Sequence, residues 1–354
     1  MNICFITIFQ YLKAYRKCMG IFLSQIRLLL LIVAVGLFMP IITWAAEDEQ
    51  NDGGILDELP ALDGLGDDAK DDDYTPTFEK GVKAYRSGDF KAAFGYWEDL
   101  ADGEQGAAQH NLAVMYEYGR GVPRDAEQAA FWYALAADQK IPEAINNLGR
   151  LYSQGLGVTQ DIAQGFALYL EAAELGLTDA VYNVGVAYLT GQGTAKNMAQ
   201  AFNWFKKAAV GGHASAAYNL ANLYYRGRGV VKNLNQAATW FKRAADQGDE
   251  FAGYNLGLLL YRGEGVQKNY KSAAALFLKA SKQGIIPAQN QLGVIYSRGE
   301  GVQKNLETAW IWFDVAAGMG SEAAIKNLDI LRATMSDASK KRAKAKAKKF
   351  QIIQ

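Results

Sequence analysis

The sequence predicts an all-α solenoid built from 36-residue helix–turn–helix repeats. Three observations carry this. A Gly-x-Gly pair recurs at 119/121, 155/157, 191/193, 227/229, 263/265 and 299/301, always 36 residues apart and without an insertion. An Asp or Asn column keeps the same step at Asp125, Asp161, Asn197, Asn233, Asn269 and Asn305. Large apolar residues between these marks recur at helical spacing, and the chain holds only 6 prolines in 354 residues, which suits helices.

The chain opens on an export signal. Leu28–Ile42 is an apolar run preceded by Arg27 and followed by Thr43-Trp44-Ala45-Ala46, the order of an n-region, an h-region and a small-residue cleavage site. Two readings stand: cleavage after Ala45 or Ala46, which gives a periplasmic or secreted protein, or an uncleaved anchor in the inner membrane with the rest facing the periplasm. The long, partly apolar stretch 1–18 is unusual for an n-region, and Met19 offers a more ordinary start. Both cysteines, Cys4 and Cys18, precede the apolar run, so the cleaved chain carries no disulfide and relies on its apolar core.

The formal charge is zero, with 37 basic and 37 acidic residues, but the charges are segregated. Glu47–Pro76 is acidic and glycine-bearing, with too little apolar content to offset the entropy of ordering, and reads as a disordered linker. Its aspartate clusters lack the set spacing of a calcium loop and read as solvated spacer.

Within each repeat the Asp or Asn column N-caps a helix, B, and Gln128, Gln164, Gln200 and Gln236 three residues later suit a capping box. The buried stripe of B is expected at Trp132, Leu168, Trp204, Trp240, Leu276 and Trp312, with an aromatic beside each and an alanine four residues on. Glycine ends five of the six B helices, at 176, 212, 248, 284 and 320, where a left-handed residue is wanted. Lys140 is the exception, with Pro142 expected to break the chain instead. Helix A precedes the Gly-x-Gly turn with a pattern close to Asn-Leu-Gly-x-x-Tyr, its small residue letting B approach. The Gly-x-Gly pairs lack a third glycine and follow no strand, so they read as turns needing positive φ and not as phosphate loops.

These columns resemble the Sel-one-like repeat, a branch of the tetratricopeptide superfamily, in six full units over 107–322. Residues 77–106 resemble a divergent first pair with a Ser87-Gly88-Asp89 turn, and 323–354 supply a last A-type helix and a basic helix. The resemblance implies a right-handed superhelix whose A helices line a concave face, protein or peptide binding, and a place in the bacterial envelope. Family members described as penicillin-binding or β-lactamase-like are disulfide-rich, which the cysteine-free repeats here are not.

The basic stretch Lys340–Lys349 reads first as a polar capping helix, with Ser336 as N-cap and Ala343, Ala347 and Phe350 on one face. Contact with an anionic membrane or glycan is the rival reading, and export argues against nucleic acid. No metal, cofactor or catalytic motif is found. His110 and His213 occupy different units, against a metal pair, and His110 is expected at the surface.

The leading function is therefore an exported scaffold, not an enzyme. A peptidoglycan-binding or hydrolase-regulating envelope protein is the first rival and a β-lactam-hydrolysing enzyme the second. Candidate docking residues are Tyr182, Asn183, Tyr218, Asn219, Asn222, Tyr254 and Asn255 on helix A, with Arg226, Arg262 and Arg298 as a positive rim. The three tyrosines are expected to form a stacking strip. The Asn column has two readings, binding a peptide backbone or bonding neighbouring helices.

Overall fold

The computed structural model describes residues 75–353, with side chains for 77–348. The export signal, the acidic segment as far as Tyr74, and Lys349 and Phe350 in the basic stripe lie outside the residues so described.

Sixteen helices and no strands occur among the described residues. The A-type helices are α3 (Gly106–Tyr118), α5 (Pro142–Gln154), α7 (Thr178–Thr190), α9 (Ala214–Arg226), α11 (Glu250–Arg262), α13 (Ile286–Arg298) and α15 (Glu322–Thr334). Their B partners are α4 (Ala126–Asp138), α6 (Ile162–Glu174), α8 (Met198–Val210), α10 (Leu234–Asp246), α12 (Tyr270–Lys282) and α14 (Leu306–Gly318). Ahead of them stand α1 (Thr75–Arg86) and α2 (Phe90–Asp102); α16 (Asp337–Ile353) follows. Helix α1 starts at Thr75, two residues earlier than the sequence suggested, because a proline is tolerated in a first turn. From α1 to α15 each helix packs on the next, an all-α solenoid in which one unit's core runs into its neighbour's.

The caps explain the strict period. In every unit the Asp or Asn side chain accepts a backbone N–H at the start of B, as Asn233 does from Gln236 at 3.0 Å. The expected capping box does not form in return. The cap residue's own N–H is taken by a carbonyl of helix A, from Asp125 to Tyr116 at 2.9 Å through Asn305 to Tyr296 at 2.9 Å. That bond closes the turn between A and B and leaves the glutamine nothing to satisfy.

The Gly-x-Gly turn has two separate reasons for its glycines. The first glycine is the left-handed C-cap of helix A, φ +69° at Gly155. The second, also at positive φ, lies against the first turn of the preceding unit's B helix: a Cβ on Gly157 would overlap the carbonyl of Ala126. Where B helices end, Gly176 through Gly320 take positive φ as expected, and Lys140 itself adopts φ +62°. Pro142 therefore does not stand in for the missing glycine; it occupies the first turn of α5.

Packing corrects the expected B stripe. Leu168, Trp240 and Trp312 are buried, but Trp132, Trp204 and Leu276 are only half-buried. In five of the six units the deepest column is the next one: Tyr133, Phe205, Phe241, Phe277 and Phe313 are each at most 2 % exposed, whereas Tyr169 in unit two is half-buried beside the buried Leu168. These rings sit over the small residue of helix A, where a Cβ on Gly185 or Gly257 would come within 2.7 Å of Phe205 or Phe277. Helix α16 packs on α14 through buried Ala343 and Ala347, while Arg342 and Lys346 reach Glu307 at 2.6 and 2.7 Å. No helix of the described residues is long and apolar enough to cross a membrane.

Candidate functional site

Successive A helices are joined by a ladder of polar side chains. Each rung runs from the residue before the Asn column to the asparagine one unit on. Asn183 donates to Asn146 at 2.9 Å, Asn327 donates to Asn290 at 2.9 Å, and Asn147 lies 3.4 Å from His110 Nε2. Tyr182 shares a side-chain hydrogen bond with Asn219. The Asn column thus bonds neighbouring helices at these four rungs, the second of its two readings.

His110 is not at the surface. It is fully buried beside Tyr133, with Asn111 and Asn147 at its two ring nitrogens. Burial pushes its imidazole down to about 4, against the opposing effect of the Asn111 hydrogen bond. Close by, Glu117 accepts from Tyr133 at 2.9 Å and from Arg150 at 2.5 Å, a largely buried ion pair that helps join units one and two. His213 caps α9 through the Ala216 N–H at 3.2 Å and stacks on Tyr182 with ring centroids 4.3 Å apart. No group of three or more potential metal ligands occurs among the described residues.

The three tyrosines do not stack on one another. Each leans on the phenylalanine of its own B helix: Tyr182 on Phe205, Tyr218 on Phe241 and Tyr254 on Phe277, at 5.7–5.9 Å between centroids. One 36-residue step separates them by a whole helix diameter, too far for ring contact. Burial raises the pKa of Tyr182 and Tyr254, keeping both hydroxyls neutral; the Asn219 bond opposes this at Tyr182 and Arg262 opposes it at Tyr254.

Two pockets open between the A helices of units three to five. The one between α9 and α11 brings together Tyr218, Asn222, Arg226, Asn255 and Arg262 over a floor containing Phe241 and Leu259. The one on the other side of α9 holds Tyr218, Asn219, Asn222, Arg226 and Arg228. Seven of the ten expected residues thus line described pockets, because Arg298 lines another, with Asn327 and Ile330, near the end of the array. Tyr182, Asn183 and Tyr254 line none of these three. Tyr225 and Arg228 were missed by sequence reasoning. Arg228 is the middle residue of its Gly-x-Gly turn, a position with no fixed chemistry to mark it.

The expected positive rim is uneven. Arg262 and Arg298 have Glu264 and Glu300 at 3.9 and 4.0 Å, and Arg298 also donates to the Tyr261 hydroxyl at 3.2 Å. Those acids are the middle residues of the following turns, where unit four carries Arg228 instead. Among the described residues Arg226 and Arg228 have no carboxylate within 4.0 Å, so the uncompensated charge is centred on α9.

The profile of the Sel1 repeat matches residues 106–140, 142–177, 178–213, 214–249, 252–285 and 286–321. A Sel1 repeat protein from Oxalobacter formigenes is similar in structure, with a TM-score of 0.62 and 31% identity, over 68% of this chain and 99% of that one. Over 49 residues, 14% of this chain, the sequence is 41% identical to DAP3-binding cell death enhancer 1 of Rattus norvegicus and of Mus musculus. The match spans only 10% of the length of those curated relatives.

Proposed function

Because the chain belongs to the Sel1 repeat family, whose solenoid is a scaffold generally used in protein–protein interaction, we propose that it is an exported scaffold that docks a protein or peptide partner along the A helices of units three to five. The observation that supports this reading most is the convergence of Tyr218, Asn222, Asn255, Arg226 and Arg262 on one pocket between two A helices. Phenol, amide and guanidinium groups offer donors and acceptors to a peptide without committing to one sequence, and no nucleophile or paired acid and base stands among them.

The test is to identify the partner by crosslinking in cells and then to measure its affinity for the Tyr182/Tyr218/Tyr254→Ala variant. A large loss of affinity in a variant that stays helical is expected; full affinity overturns the docking site. Export is supported by the order of charge, apolar run and small residues over 27–46. It predicts a mature N-terminus at Ala46 or Glu47 in the periplasm or medium, or a membrane-bound chain if the apolar run is kept. A cytosolic protein that retains its N-terminal extension overturns it.

A further inference from the structure

Resting on the docking reading above, we propose that the groove beside α9 takes an acidic, extended partner segment, with one acidic side chain between Arg226 and Arg262 and a second beside Arg228. The first observation is a broken rung. Tyr218 and Asn255 occupy the positions that are bonded in the His110–Asn147, Asn146–Asn183, Tyr182–Asn219 and Asn290–Asn327 rungs. Here, among the described residues, neither side chain has a hydrogen-bond partner, and both line the pocket that holds the two arginines. A phenol and an amide left open beside two guanidinium groups provide donors for both oxygens of a carboxylate. The Tyr254–Gln291 rung is open too, but there Arg298 is engaged by Tyr261 and Glu300.

The second observation is charge. Arg226 and Arg228 have no acidic neighbour within 4.0 Å among the described residues, and Lys232 adds a further positive charge over the Tyr225 ring. Among the described residues Glu264 is the one acid within 4.0 Å of these arginines, at 3.9 Å from Arg262, which leaves a positive excess. Phe241 and Leu259 give the pocket an apolar floor that suits the methylenes carrying a carboxylate.

The third observation is that the two pockets share Tyr218, Asn222 and Arg226 and lie on opposite sides of α9. A segment crossing successive A helices meets both. Neighbouring helix axes stand about 8–10 Å apart, which an extended chain covers in roughly three residues. Two guanidinium-lined pockets in series call for two anionic groups on one chain. A free C-terminus supplies one carboxylate, whereas acidic side chains supply both.

The test uses the full chain and random twelve-residue peptides displayed with both ends fused, so that no terminal carboxylate is present. Selected peptides are then synthesised with acetylated and amidated ends and measured against the wild type, Arg226→Gln/Arg262→Gln and Tyr182/Tyr218/Tyr254→Ala. The expected peptides carry Asp or Glu about three residues apart, bind roughly tenfold or more weakly to the Gln variant, and weaken as salt rises. Replacing their Glu and Asp by Gln and Asn should cause a similar loss, an arm that leaves the protein untouched. Peptides without acidic enrichment, or insensitive to both sets of Gln changes, that still fail on the tyrosine variant overturn the acidic occupant and spare the docking groove. No selected peptide, or binding unchanged in the tyrosine variant, overturns both.

Discussion

His110, expected at the surface, is fully buried, and the reason it was misplaced lies in its column. Its column otherwise holds asparagine or tyrosine, all polar, so nothing in the pattern marks one member as buried; the neighbours that enclose it, Tyr133 and Asn147, come from other helices. Its folded pKa lies below the ordinary value, at about 4. The native state therefore keeps it neutral while the unfolded chain charges below about 6.5. Stability from this group is present above the unfolded value and is lost as pH falls from there toward 4. The loss over that window should amount to about 3 kcal/mol. Urea melts between pH 7 and pH 4 on the wild type and on His110→Gln should show a shallower decline in the variant, in which His213 and the carboxylates still titrate. Trp240 makes the opposite case. It is 7 % exposed and carries Arg243 4.4 Å above its ring, so Trp240→Ala should cost about 3–5 kcal/mol in urea melts.

At the scale of the element, the two kinds of turn glycine separate conformation from space. Gly157 and Gly176 both hold positive φ, +68° and +96°. A Cβ on Gly176 meets nothing within 4 Å, whereas one on Gly157 runs into the carbonyl of Ala126. Gly176→Ala should therefore cost about 1–2 kcal/mol, the strain of a left-handed non-glycine residue. Gly157→Ala should cost about 2–5 kcal/mol, because backbone of the preceding unit must also move. Thermal melts of the two variants check the order; equal costs would mean that units do not touch through the turn. The periodic signal made both glycines visible in the sequence, but only the packed array shows that one of them sets the distance between units.

At the scale of the molecule, each unit buries its apolar residues against its neighbours, so protection should be graded along the array. The far end depends on α16, whose Ala343 and Ala347 close a cluster with Trp310, Phe313, Leu328 and Leu331. Truncation before Asp337 should raise amide exchange in α14 and α15 while leaving α5–α8 unchanged, read by hydrogen-exchange mass spectrometry. A uniform rise across all units would show that the array unfolds as one block. Helix α15 also ends the row of A helices with its outward side uncovered. Ile325 and Ile330 are 45% and 65% exposed, although Ile145 and Val181, at the place of Ile325 in earlier units, are buried.

The sequence by itself determined the helix pair, its 36-residue period, the caps and turns and the class of scaffold, because each of these rests on local backbone chemistry repeated in register. It also pointed to Tyr218, Asn219, Asn222, Arg226, Asn255 and Arg262, which line the two pockets beside α9, since helical spacing places them on one side of each A helix. Tertiary structure alone decided what those residues do there. Whether an asparagine is spent on its neighbour or left open depends on the side chain one unit away. Whether an arginine's charge is compensated depends on where the side chain in the middle of the following turn is directed. The asparagine rungs join residues 37 positions apart and the arginine pairs join residues two apart, and a periodic pattern fixes both spacings without fixing their chemistry.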